Sequence, residues 1–223
     1  AAKPRWFIVG HAAQAPSRYA PLSSNVRPQN MHRRVPREWE SLNFLDPERI
    51  LVGLRRIAQE MPLQELRYQT ASLRSHATRK YGEGRQAALF CYGMSCVLGA
   101  KVAFAQEEQA DHDVVARYEK AGVLNYVPVQ LKEFVPTFVN PRASLQAELD
   151  KLGKYANGQD LVVAFHLNRE ITMHPSELIF PKGAVVEIWF YGATERTQTR
   201  WIIMGNLLSP NAVYREFTYP AAA

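Results

Sequence analysis

The stretch NYVPVQLKEFV, residues 125–135, decides how this chain is read. Its β-branched and aromatic content predicts a β-strand, and alternate side chains of a strand share a face. Tyr126, Pro128, Gln130 and Lys132 therefore lie on one side. Val127, Val129 and Leu131 lie on the other, which is the expected core face. A glutamine and a lysine thus project together from a strand that otherwise calls for burial. Pro128 cannot donate to a ladder, so its nitrogen must face no partner, or the strand begins later.

Working outward, residues 102–105 and 113–120 predict two preceding strands, with a turn at 121–124 before the third. Ser144 is placed to cap an amphipathic helix through Leu145, Leu149 and Leu152, closing near Asn157 and Gly158. Residues 161–167 form a continuous apolar run, as expected of a strand covered on both faces. Residues 184–191 and 200–208 predict a further antiparallel pair.

Upstream, Asp46 and Pro47 read as a helix cap followed by proline at the first helical position. Ile50, Leu51, Leu54, Ile57, Ala58 and Met61 trace one helical face behind them, and Pro62 stops it. Leu63, Leu66 and Leu73 suggest a second helix. Residues 81–84, Tyr-Gly-Glu-Gly, read as a turn before a third, very apolar helix at 85–98, whose composition argues for burial. Residues 1–43 contain five prolines and no acidic residue before Glu38, so they read as a basic, irregular arm. The rest, 44–220, is expected to be one α/β domain: a helical part at 44–99, a core at 79–169 and additional strands at 184–208.

Composition bounds the possibilities. Hydrophobic residues make up 47% of the 223, enough for a substantial core. No apolar run is long enough to span a bilayer, and the apolar patch at 6–9 is too short for a secretory signal, so a cytoplasmic location is expected. Cys91 and Cys96, five apart in a helical segment, are poorly placed to bridge and read as buried free thiols. Net charge is +6 and unevenly spread. The first hundred residues carry 15 Lys/Arg against 7 Asp/Glu, and the remainder 12 against 14. That asymmetry suits a polyanion contact beside an acidic site. No GxSxG, GxGxxG or Walker-type loop occurs, which removes the motif support for a serine nucleophile or a nucleotide cofactor.

Asp113 begins the strand that precedes Gln130 and Lys132. Pairing of the two strands brings a carboxylate, an amide and an ammonium together. Such a trio suits phosphodiester hydrolysis. A magnesium or manganese ion takes oxygen ligands and keeps several waters, and a lysine orients the attacking water and offsets phosphate charge.

Residues 79–169 resemble the PD-(D/E)xK, or restriction-endonuclease-like, superfamily. The resemblance rests on Asp113-Val114-Val115 and on Val127-Pro128-Val129-Gln130-Leu131-Lys132, within the order helix, three strands, helix, strand. It implies an α/β fold with a mixed central sheet flanked by helices. It implies Mg²⁺- or Mn²⁺-dependent cleavage of nucleic acid, DNA more than RNA, with no membrane partner and possible homodimers. Asp113 maps to the metal aspartate and Lys132 to the catalytic lysine. Gln130 falls on the variable acidic position, as in the QxK, Mrr-like branch. Glu83 is the candidate for an additional acidic residue from the preceding helix. His112 stands where the family has proline, and Asp111 competes with Asp113 for the metal role.

Arg79, Lys80 and Arg85, with Arg33, Arg34, Arg55 and Arg56, are the residues expected to hold a nucleic-acid backbone. Each candidate has a plainer reading beside it. Asp113 suits a turn entering a strand, Gln130 and Lys132 an exposed polar face, and Glu83, Glu107 and Glu108 solvated carboxylates. His166 reads as a core histidine or a phosphate contact. Trp189, Phe190, Tyr191 and Trp201 read as core or, beside Arg196 and Arg200, as base-stacking groups. The alternative function is a non-catalytic nucleic-acid-binding or protein-interaction domain of the same fold.

Overall fold

The computed structural model describes residues 36–60, 79–107, 109, 111–155, 158–181 and 183–221. Four α-helices are seen among them: α1 (Arg37–Glu40), α2 (Pro47–Glu60), α3 (Arg79–Leu98) and α4 (Leu145–Asp150). One seven-stranded sheet runs in chain order: β1 (Val102–Gln106), β2 (Val114–Lys120), β3 (Val123–Phe134), β4 (Gly158–Leu167), β5 (Val185–Ala193), β6 (Arg200–Gly205) and β7 (Val213–Thr218). Pairs β3–β4 and β4–β5 are parallel, and the four outer pairs are antiparallel. The chain is therefore mixed α/β. Among the described residues no helix is long and apolar enough to cross a membrane.

The parallel centre explains the apolar run at Leu161–Leu167, every residue of which is buried. One face carries Val129, Leu131, Val162, Ala164, Trp189 and Tyr191 under α3 and α2. The other carries Phe134, Val163, Phe165, Ile188 and Phe190 under Leu145, Leu149 and Leu152. A strand covered on both sides has no reason to alternate polar and apolar residues. Helix α3 shows little amphipathicity for the same reason. Ala87, Ala88, Leu89, Phe90 and Cys91 are all buried in succession, held between the sheet and α2. Gly93 lets this helix approach the sheet: a Cβ there would come within 2.9 Å of the Phe217 ring.

Helix α2 starts as its sequence predicts. The Asp46 carboxylate accepts from the backbone N–H groups of Glu48 and Arg49, at 2.9 and 3.3 Å. Tyr219, just after β7, donates to the Leu51 carbonyl at 2.9 Å and ties the end of the chain to this helix.

Several boundaries differ from the sequence reading. Residues 81–84 are helical, because α3 begins at Arg79. Gln106 packs on Gly84 and donates to the Lys80 carbonyl at 3.0 Å, which supports the first turn of the helix despite its two glycines. The β2–β3 turn is only Ala121 and Gly122, both at positive φ (52° and 75°), so β3 starts at Val123. Helix α4 stops at Asp150 and tightens into a 3-10 turn, Lys151–Tyr155, that keeps Leu152 and Tyr155 inward. The irregular arm includes α1, and strand β7 went unpredicted. Of the two thiols, only Cys91 is buried; Cys96 is exposed, and both are free. The helix expected around Leu63, Leu66 and Leu73 lies outside the described residues.

Pro128 fits inside β3 through strand geometry. Val129 turns its carbonyl toward the β2 side, where it accepts from Asp113 N at 3.0 Å. Backbone groups alternate sides along a strand, so Pro128 turns its nitrogen the other way. There the β3–β4 register begins only at Val129 opposite Val162.

Candidate functional site

Asp113 immediately precedes β2, and its side chain lies across the end of that strand against β3. Val114 and Ala116 belong to the α3 side of the sheet, which leaves Asp113 on the α4 side. Gln130 and Lys132 share that side, because Val129 and Leu131 fill the other. Carboxylate, amide and ammonium therefore stand on one face.

The Asp113 Oδ2 atom accepts from the backbone N–H of Leu131 at 2.7 Å and from Gln130 Nε2. The first bond closes the β3 ladder where β2 has ended. Gln130 is 8% exposed, so its amide needs internal partners. Its Nε2 also donates to the Leu131 carbonyl at 3.3 Å, and its Oε1 accepts from the Tyr155 hydroxyl at 2.9 Å. A carboxylate only accepts, so the amide must turn its NH₂ toward Asp113. Lys132, half-buried, sets its Nζ 5.7 Å from the centre of the Tyr155 ring. Lys154 places a second ammonium 4.8 Å from the same ring.

Tyr155 and Lys154 were not singled out in the sequence. The helix through Leu152 and the polar face of β3 are both legible there, but their meeting is a product of the β3–α4–β4 crossover. The available signal was a lysine and an aromatic in the last turn expected of an amphipathic helix.

The other candidates are placed as follows. Glu83 is half-buried in α3, on the opposite side of the sheet from Gln130. It reaches the same end of the sheet, since its neighbour Gly84 meets Gln106, whose register partner is Val114. Asp111 is engaged elsewhere: its Oδ1 lies 2.9 Å from His112 Nδ1, and the buried His112 ring meets Trp39 edge-on. Glu107 accepts from the Gln109 side chain at 3.2 Å, and Glu108 lies outside the described residues. Among the described residues no three His, Cys, Asp or Glu side chains assemble as a metal-holding group.

The donors can still be tested against a divalent cation. Two oxygens, Asp113 Oδ2 and the Leu131 carbonyl, converge on one partly positive NH₂ group. Turning the Gln130 amide over would add its oxygen to them. One carboxylate and two neutral oxygens fit an ion such as Mg²⁺ or Mn²⁺, which takes hard oxygen ligands and keeps water for the remainder.

The expected backbone-binding cations are only partly available. Arg33 and Arg34 lie outside the described residues, Lys80 and Arg56 are exposed, and Arg79 is the first residue of α3. Arg85 turns inward, contrary to the reading as a phosphate contact. It donates to Gln198 Oε1 at 2.7 Å and lies 5.9 Å from the Trp201 ring, and burial lowers its pKa. Arg55 likewise donates to the Gln198 carbonyl at 3.0 Å and covers the Tyr219 ring at 4.0 Å. Both are brackets between helix and sheet, because each guanidinium fork finds carbonyl and aromatic partners within the fold.

Under that bracket runs a second polar row, on the α3 side, in register across the parallel strands: Glu133, His166 and Tyr191. Asn168 Nδ2 donates to the Glu133 carboxylate, and the His166 ring is stacked between Tyr191 and Trp201 at 5.2 and 5.8 Å. Trp189, Phe190, Tyr191 and Trp201 are all buried, so they are core groups and cannot receive bases. A small cavity of about 10 Å³ beside His166, Asn168 and Gln198 has room for no more than a single water.

No family model matches the chain, and no curated protein or solved structure matches it significantly.

Proposed function

We propose that the protein is a metal-dependent phosphodiesterase acting on nucleic acid, with DNA the favoured substrate, built on a restriction-endonuclease-like core. The observation that carries this reading is the contact of Asp113 with Gln130 at the end of β2, with Lys132 on the same face beside the Tyr155 ring. The order α3, β1–β2–β3 meander, α4 and parallel β4, with the two helices on opposite faces, supports the fold assignment.

In this reading Asp113, the Leu131 carbonyl and the Gln130 amide oxygen hold a Mg²⁺ or Mn²⁺ ion. When bound, that ion acidifies a water and offsets charge building on the phosphate. Lys132 orients the attacking water by hydrogen bonding and neutralises part of the negative charge on the phosphoryl oxygens. Lys154, across the Tyr155 ring, holds the neighbouring stretch of backbone. Glu83, at the same end of the sheet but on its other face, is outside this ligand set.

Incubation of the protein with plasmid and single-stranded DNA in Mg²⁺ or Mn²⁺ tests the reading. Cleavage that requires the ion and disappears in Lys132→Ala is expected. Cutting that is unchanged in that variant rejects it.

A second reading has an observation of its own. Asp113 already serves as a cap for the Leu131 N–H, and Gln130 replaces what would be a second carboxylate. Both suit a domain of the same architecture that binds nucleic acid or protein without cutting. Binding to DNA that weakens with salt, combined with no affinity for Mn²⁺, would favour it.

A further inference from the structure

We infer that the Tyr155 hydroxyl is a positioning group that allows Gln130 to present either its NH₂ or its carbonyl oxygen to Asp113. This rests on the cation-site reading above, and it gives that site a device for existing with and without the ion.

A glutamine amide has two donors and one acceptor oxygen, and at this depth each must be matched. In the orientation seen, each of these groups has a partner. The NH₂ serves Asp113 Oδ2 and the Leu131 carbonyl, and the oxygen takes the Tyr155 proton. Turning the amide over reverses every one of these roles. Its oxygen then faces two other oxygens, which is repulsive unless a cation stands among them. Its NH₂ faces Tyr155 and needs an acceptor there.

A tyrosine hydroxyl meets that need because it donates one hydrogen and also accepts on its lone pairs. By rotating its own O–H, Tyr155 satisfies the amide in both orientations. A phenylalanine would take a partner from both orientations, leaving the amide oxygen under-satisfied in one and the NH₂ unbonded in the other. The orphaned N–H costs more than the under-satisfied carbonyl, so the cation-bound state is weakened by the difference. The 3-10 turn holds Tyr155 inward, with Leu152 and Tyr155 both buried. Lys132 and Lys154 approach the Tyr155 ring and leave the hydroxyl to Gln130.

The same argument explains why a neutral amide works in this position. Glutamate at 130 would set two carboxylates against each other when no ion is present. Glutamine instead offers Asp113 a hydrogen bond from its own NH₂ and yields its oxygen only when a cation arrives.

Mn²⁺ titration by calorimetry and electron paramagnetic resonance tests this in four proteins: wild type, Tyr155→Phe, Gln130→Glu and the double variant. Tyr155→Phe should weaken Mn²⁺ binding about threefold or more in the glutamine background. In the glutamate background, where there is no NH₂ to accommodate, it should change affinity by less than about twofold. Equal affinity of wild type and Tyr155→Phe would overturn the inference and leave the cation site standing. Binding by Gln130→Glu alone would also overturn it, since the native amide would then never offer its oxygen. No binding by any of the four would remove the cation site itself.

A measurement on the native chain guards against poor folding of the variants. The Gln130 side-chain NH₂ signals in a ¹⁵N-resolved spectrum should move on adding diamagnetic Mg²⁺, because the amide changes partners. Mg²⁺ binding that leaves those signals in place would refute the turn.

Discussion

The two sides of the sheet carry similar polar chemistry at the same end and treat it differently. On the α3 side, Glu133, His166 and Tyr191 lie in one row, and Arg55 and Arg85 close over the region by bonding Gln198. Both of these guanidinium groups have been taken into the fold's own contacts. On the α4 side, Asp113, Gln130 and Tyr155 form a chain of hydrogen bonds, while Lys132 remains half-exposed beside them. Residue types that suggest chemistry are thus common to both sides. What distinguishes the candidate site is an available charge at the margin of the sheet. The closed side contributes stability.

The sharpest way to break this comparison is Lys132→Ala. Its cleavage rate should fall by about a hundredfold or more, with the urea unfolding midpoint almost unmoved. A stability loss with intact cleavage would make Lys132 another bracket. Arg85→Ala should do the reverse. Losing a charged donor to Gln198 and leaving that acceptor inside should cost about 1.5–3 kcal/mol in urea unfolding, with the cleavage rate of folded protein preserved.

Gly93→Ala tests how closely α3 is seated on the closed side. A Cβ would meet the Phe217 ring at 2.9 Å, so overpacking of about 1–3 kcal/mol is expected, measured by thermal unfolding.

The smallest effect concerns Glu187, on the α3 side. Burial raises its carboxyl pKa, and the Trp189 indole N–H, which donates at 2.6 Å, pulls partly the other way. A folded-state pKa above the unfolded one means the folded protein binds more protons between the two values. Stability therefore falls as pH rises from the unfolded Glu range through the raised pKa. Glu187→Gln should flatten that part of the stability–pH curve, and an unchanged curve would show that Glu187 does not contribute to it.

Much of the architecture was readable because it depends on local rules. The Asp46 cap, the Pro47 start, the apolar β4 run and the alternation of β3 are written in adjacent residues. The turn predicted at 81–84 failed because its support, Gln106, is more than twenty residues away. Strand β7 was missed because it is a sheet edge whose one buried residue is Phe217, leaving no clear alternation.

By itself the sequence determined the mixed α/β class and which residues share the polar face of β3, since both follow from periodicity over a few neighbours. Only the tertiary structure decided that Tyr155 would meet Gln130, that Asp113 would cap Leu131, and that Arg85 would turn inward. Each of those outcomes joins groups far apart in the chain or across two elements. They depend on where the crossover and the helix layer come to rest, and hydrogen-bonding capacity alone does not encode which partner will be within reach.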